Sequence, residues 1–180
     1  MHNGFVNIDN VKMSKSLGNF ITVHDALKTI DGQVLRFFFA TQHYRKPINF
    51  TEKAVRDAET NLKYLKNTYE QPFTGGVDSA DLQGFVDKFI AAMDEDINAA
   101  NGITVVFELA KWINSGHYNQ DVKDALTKML EVFGVVFVEE VLDADIEALI
   151  AERQEARAKK DFARADAIRD ELAAQGIKLL

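Results

Sequence analysis

The sequence predicts a mainly α protein: a helical bundle, preceded by a short strand-and-loop region and followed by a charged helical hairpin. Three observations lead there. Apolar residues recur at helical spacing through four successive segments, 51–71, 81–96, 99–115 and 121–137. Thr22, Asp31, Thr51 and Asp161 stand where helix N-caps belong, each just ahead of such a segment. A hydrophobic content of 47% with two prolines and ten glycines in 180 residues suits a packed core and excludes a disordered or collagen-like chain.

Taken in order, Gly4 to Ile8 alternates as a short strand, and Asp9-Asn10 turns the chain into a loop. Thr22, with Asp25 three residues later, caps a short helix expected over Val23 to Ile30. Asp31 caps a second helix through Val34, Leu35, Phe37, Phe38, Phe39 and Ala40, apolar nearly all round and therefore expected to be buried. Pro47 ends that pattern, and Lys46 before it is biased to extended geometry. Thr51 caps a long helix to about Gln71, with a stripe of Ala54, Val55, Ala58, Leu62, Leu65 and Tyr69. Pro72-Phe73-Thr74-Gly75-Gly76 is the clearest linker, and a domain boundary is placed there.

Three amphipathic helices follow. The first turns Leu82, Phe85, Phe89, Ile90 and Met93 inward; the second Ile103, Val106, Phe107, Ala110 and Trp112 or Ile113; the third Val122, Leu126, Met129, Leu130 and Phe133. Short polar breaks between them fit antiparallel neighbours in a bundle, and aromatic residues at helical spacing belong to a core rather than a base-stacking platform. Ala144 to Lys160 carries Ile146, Leu149 and Ile150 and then turns strongly charged. Asp161 caps Phe162 to Gln175, whose inward face reads Phe162, Ala165, Ile168 and Leu172. Gly176 is a natural stop, and Ile177 to Leu180 reads as the beginning of a strand.

The absence of cysteine excludes disulfides and thiolate metal sites. His2, His24, His43 and His117 are scattered, so no metal site is expected in this chain. No apolar run of membrane-spanning length occurs, and no secretory leader pattern opens the chain; a cytoplasmic protein with no membrane partner is expected. The net charge of −7 is unevenly distributed: residues 1–50 carry six Lys/Arg against three Asp/Glu, residues 71–150 four against fifteen, and residues 151–180 seven against six. A polyanionic partner would meet the two ends and avoid the acidic middle, although any single charge on these helices is equally a solvated face.

The chemistry concentrates in Lys12-Met13-Ser14-Lys15-Ser16, followed by Leu17, Gly18 and Asn19. Two ammonium groups and two hydroxyls within five residues, next to a glycine, suit a loop that holds a polyphosphate while its charge changes. Composition alone describes an ordinary solvated connection equally well. The order of residues is more specific, and it resembles the signature loop of class I aminoacyl-tRNA synthetases. The flanking His2-Asn3-Gly4-Phe5, Leu17-Gly18-Asn19-Phe20, Phe37-Phe38-Phe39 and His43-Tyr44-Arg45 narrow the resemblance to the cysteinyl-tRNA synthetase family. Ala92-Met93-Asp94-Glu95-Asp96-Ile97-Asn98 resembles that family's helical domain, and Lys160 to Asp170 the start of its C-terminal region.

The resemblance implies a KMSKS loop with stem-contact helices over residues 1–71, a DALR-type helical bundle over 72–142, and the start of an anticodon-binding region, truncated, over 143–180. It implies an ATP-dependent ligase that makes cysteinyl adenylate and passes cysteine to tRNA(Cys). Partners are then ATP, with Mg as its counter-ion, cysteine and tRNA. Lys15 is the main candidate for the phosphate contact, with Lys12 as anchor and Ser14 and Ser16 shaping the loop. The family's zinc site and His-x-Gly-His nucleotide motif have no counterpart here. Zinc is thus expected only in the full-length enzyme, and the isolated chain is expected to be inactive. Arg153, Arg157, Lys159, Lys160, Arg164 and Arg169 are the nucleic-acid candidates of the last region; they match surface ion pairs to Glu152, Glu155, Asp161 and Asp166 equally well. His43-Tyr44-Arg45 is read as positioning backbone, with a tRNA phosphate as the alternative. Two rivals stand beside this reading: the related cysteine ligase of mycothiol synthesis, for which residues 144–178 should be dispensable, and a non-catalytic helical interaction module.

Overall fold

A computed structural model describes residues 3–138, 144–159 and 161–174. The first strand, Val6–Ile8 (β1), is joined to Val11–Lys12 (β2) by Asp9 and Asn10, both at positive φ (48° and 66°). Two consecutive left-handed residues match the right-handed twist of a two-residue hairpin, and Asp and Asn tolerate that conformation better than most side chains. Ile8 pairs with Val11 and Asn7 with Lys12. A third strand, Ile48–Phe50 (β3), lies parallel to β1 on its other side, giving the order β2-β1-β3. Only Lys46, before Pro47, was expected to be extended, and neither this strand nor its pairing was anticipated. Its partner lies about forty residues upstream, with two helices in the crossover that a parallel pair requires.

Those helices are Val23–Ala26 (α1) and Gly32–Ala40 (α2), capped by Thr22 and Asp31 as expected. Thr22 Oγ1 accepts from the Asp25 amide at 3.0 Å, and Asp31 Oδ1 from the amides of Gln33 and Val34. The first helix is shorter than anticipated: beyond Ala26 the ladder breaks into turns, with Lys28 N–H on Asp25, Thr29 N–H on Ala26 and Ile30 N–H also on Ala26. The second buries Val34, Leu35, Phe37 and Phe38. Then come Glu52–Tyr69 (α3, capped by Thr51), Ser79–Asp94 (α4), Ala99–Asn114 (α5) and Gln120–Val132 (α6). The last ends earlier than its apolar pattern. Gly134, at φ 68°, closes it with its own N–H on the Glu131 carbonyl and the Val135 N–H on that of Leu130, a Schellman ending.

Residues 1–137 form one compact unit and 138–180 another. In the first, Phe37 and Phe38 of α2, Leu65 of α3, Val106 and Leu109 of α5 and Leu126 of α6 share one core. That core runs across the Pro72–Gly76 linker, which is itself pinned: Thr74 and Gly75 donate their N–H to the carbonyl of Tyr118, whose buried hydroxyl donates to the Tyr69 carbonyl at 2.7 Å. Of the expected inward faces, Phe89, Ile103, Val106, Ala110, Ile113, Val122, Leu126, Met129, Leu130 and Phe133 are buried, whereas Ile90 is half exposed at the edge of a groove between α4 and α6. Thr68, absent from the anticipated stripe, is fully buried. It bonds the Tyr64 carbonyl and the side chain of Asn114 on α5.

The second unit is the expected helical hairpin, Ala144–Ala158 (α7) against Phe162–Ala174 (α8). Asp161 caps α8, accepting from the Arg164 amide at 3.1 Å. Ala156, Ala165, Ile168 and Leu172 are buried there; Phe162, expected inward, is 63% exposed at the first position of α8. The side chains of Ile146 and Ile150, and the expected stop and strand at 176–180, lie outside the described residues.

Candidate functional site

The Lys12–Ser16 run sits at the open end of the β1–β2 hairpin. Met13 still follows the strand, donating its N–H to the Val6 carbonyl at 2.9 Å. Ser14 then turns the chain into a single 3-10 turn, Lys15–Leu17. Its hydroxyl caps that turn by accepting from the Ser16 amide at 3.3 Å and pairing with the Ser16 hydroxyl at 2.7 Å. Gly18, at φ 69°, closes the turn with its N–H on the Lys15 carbonyl. Glycine takes this left-handed conformation at no steric cost.

The two lysines have distinct settings. Lys12 ends β2 with its ammonium 3.8 Å from the centre of the Phe5 ring. Lys15 opens the 3-10 turn, its ammonium 5.5 Å from the centre of the Phe20 ring. Both side chains are exposed, and neither ammonium is ion-paired with a carboxylate of a described residue. Two cations held on ring faces next to a capped turn remain available to an anionic group. Ser14 and Ser16, expected to shape the loop, bond each other and the loop backbone. Sequence reasoning gave no role to Asn19, whose side chain accepts from the Ser14 amide and donates to the Lys12 carbonyl. Its signal was present, an amide one residue after the glycine; the distance it spans was not.

His43-Tyr44-Arg45 is joined to the loop between α4 and α5. The Tyr44 hydroxyl donates to Asp96 Oδ1 at 2.7 Å, and Arg45 donates to that oxygen and to the Tyr44 hydroxyl at 2.9 and 2.8 Å. These bonds hold the Arg45 guanidinium above its ordinary pKa, the Tyr44 hydroxyl contributing most and the Asp96 charge next. The Tyr44 carbonyl accepts from the Gly4 N–H at 2.7 Å, so the cluster also supports the start of the strand that carries the hairpin.

The basic candidates of the second unit are unevenly placed. Arg164 donates to Glu152 Oε1 at 2.8 Å and bridges α8 to α7; that bond, followed by the Glu152 charge, raises its pKa. Arg169 donates to Asp170 and Asp166, the Asp170 bond contributing most to its raised pKa. Lys159 is paired with Glu155 at 2.6 Å. Arg157 is exposed and makes no ion pair with a described residue. Arg153 has a buried Nε without a hydrogen-bond partner among the described residues, and Lys160 lies outside them. Among the described residues, no group of three or more His, Asp or Glu side chains could hold a metal ion, and no helix is long and apolar enough to cross a membrane.

Known proteins match this chain along its whole length. The tRNA synthetases class I (C) catalytic domain profile matches residues 1–60, the DALR domain profile residues 88–139, and the Cysteinyl-tRNA ligase anticodon binding domain profile residues 139–178. Over all 180 residues the chain is 83% identical to a cysteine--tRNA ligase of Streptococcus pneumoniae, 80% to that of Streptococcus mutans and 73% to that of Streptococcus thermophilus. It spans 40% of the length of each of these relatives.

Proposed function

We propose that this chain is part of a cysteine--tRNA ligase and serves the ATP-dependent joining of cysteine to tRNA(Cys), supplying the KMSKS loop and tRNA-binding helices. The observation that carries this reading is 83% and 80% identity to ligases over an alignment of all 180 residues. In the activation step a cysteine carboxylate oxygen attacks the α-phosphorus of ATP, the bond to pyrophosphate breaks, and cysteinyl adenylate forms. In the transfer step a hydroxyl of the tRNA terminus takes the cysteinyl group and AMP leaves. Negative charge shifts onto the departing pyrophosphate, and preorganised cations are the groups that stabilise such a shift.

Lys15 is assigned to that charge, as an exposed ammonium at the head of a capped turn. Lys12 anchors the loop from the end of β2, with Ser14 and Ser16 holding its shape. Magnesium accompanies ATP as its counter-ion. Zinc, where the full-length enzyme uses it, is held by residues other than these, and the protein works in the cytoplasm. Of the terminal basic residues, Arg157 has the side chain free of ion pairs with described residues, and with Arg153 and Lys160 it is the first place to look for tRNA contacts. Arg164 and Arg169 would have to exchange a carboxylate for a phosphate.

The test is Lys15→Ala in the full-length enzyme, with single-turnover adenylate formation and ATP affinity measured separately. A charge-assisted contact is worth about 1.5–3 kcal/mol, so adenylation should slow by about 10- to 150-fold while ATP affinity changes little. An unchanged adenylation rate would remove Lys15 from its role. Absence of cysteine-dependent pyrophosphate exchange in the unmutated full-length enzyme would remove the ligase reading itself.

A further inference from the structure

We propose that Asn19 is the positioning residue of the Lys12–Ser16 run, setting the geometry in which Lys15 meets the phosphates; the proposal rests on the functional reading above. The Asn19 carboxamide closes the loop on both sides of Met13. Its Oδ1 accepts from the Ser14 N–H at 2.9 Å, and its Nδ2 donates to the Lys12 carbonyl at 3.3 Å. One side chain thereby holds the last residue of β2 and the cap of the 3-10 turn in fixed register. Ser14 is consequently held twice: its amide by Asn19, and its hydroxyl in capping the turn that Lys15 begins. Gly18 makes the reach possible, because its left-handed backbone reverses the chain immediately before Asn19.

The residue type is demanding. A carboxamide offers an acceptor and a donor on one short planar group; a carboxylate accepts only, and alanine does neither. The Lys15 side chain is exposed, and none of the clamp's hydrogen bonds involves it. Asn19 therefore acts on the backbone from which the lysine projects. Fixing that backbone in advance removes an ordering step from the moment of charge transfer, and a small misplacement of a positioned group has a large effect on rate.

The experiment compares Asn19→Ala and Asn19→Asp with Lys15→Ala in the full-length ligase. It measures single-turnover adenylate formation, ATP affinity, thermal stability and amide exchange of the 12–19 segment. Asn19→Ala is expected to slow adenylation about tenfold, from the net worth of a lost hydrogen bond, with ATP affinity within about twofold and the Ser14 amide exchanging faster. Asn19→Asp keeps the acceptor and loses the donor, so its rate should fall between alanine and the unmutated enzyme. The inference is overturned if Asn19→Ala adenylates within about twofold of the unmutated enzyme while Lys15→Ala is impaired, or if its rate falls only in step with thermal stability while Ser14 exchange is unchanged. If Lys15→Ala is also unimpaired, it is the functional reading of the loop that fails.

Discussion

Replacing Gly4 by alanine tests whether the loop-bearing hairpin depends on one close approach. A Cβ at position 4 would lie 2.2 Å from the Lys46 carbonyl oxygen, 2.4 Å from its carbon and 2.8 Å from the Pro47 nitrogen. All three are backbone atoms, so no side chain can swing aside, and the strands have to separate. Overpacking of this kind costs about 1–3 kcal/mol. The displaced chain also loses the bond from the Gly4 N–H to the Tyr44 carbonyl, about 0.5–1.5 kcal/mol more. The combined cost of about 2–4 kcal/mol falls first on β1 and β3, where the Ile48 N–H donates to the Phe5 carbonyl at 2.8 Å. Hydrogen exchange at the Ile48 amide should accelerate by roughly 30- to 1000-fold, at about tenfold per 1.4 kcal/mol. Gly84 provides the control. It lies within α4, a Cβ there meets nothing within 4 Å, and alanine at that position should stabilise the helix by about 0.5–1 kcal/mol. An Ile48 amide that exchanges at the unmutated rate in Gly4→Ala would refute the close-approach argument.

Leu126→Ala empties a fully buried position of α6 in the shared core and should destabilise the first unit by about 2–5 kcal/mol. The single tryptophan, Trp112 on α5, reports urea unfolding of that unit, and an unchanged midpoint would place Leu126 outside the cooperative core. Asp25 is held below its ordinary pKa, first by Lys28 and then by the Thr22 hydroxyl. A depressed folded pKa means that the contribution is present at neutral pH and is lost as the pH falls through the folded value. Acid should therefore loosen the start of α1 while α3 to α6 persist, and a Thr22–Lys28 segment unaltered in an NMR titration to low pH would contradict this.

Much of the local structure around the loop was legible in the sequence. Lys12, Ser14, Lys15 and Ser16 stand out by their order, and Asp9-Asn10 was recognised as a turn, which closes the β1–β2 hairpin while the run leaves from its open end. The caps at Thr22, Asp31, Thr51 and Asp161 were read correctly because a cap is a bond between residues two or three apart. Asn19 was passed over because its worth lies in which two backbone groups it joins, five and seven residues back, after a left-handed glycine has reversed the chain. Ion pairs of the terminal basic residues with Glu152, Glu155 and Asp166 were anticipated as a set, but which base meets which acid, Arg164 with Glu152 across the hairpin, was not.

The sequence alone determined the helices, their order and most of each helical face, since 3.6-residue periodicity and capping act within one or two turns of chain. It also determined which ammonium and hydroxyl groups the loop carries, because those are side chains adjacent in order. The tertiary structure decided that Ile48–Phe50 joins β1 in parallel, that Ile90 and Phe162 remain exposed, that Thr68 is buried against Asn114, and that Arg45 is held by Asp96. Each of these depends on groups brought together from distant parts of the chain or on what a given face finds to pack against. Such contacts form only where the whole core compensates the entropy of closing the intervening loops, and no local pattern encodes that sum.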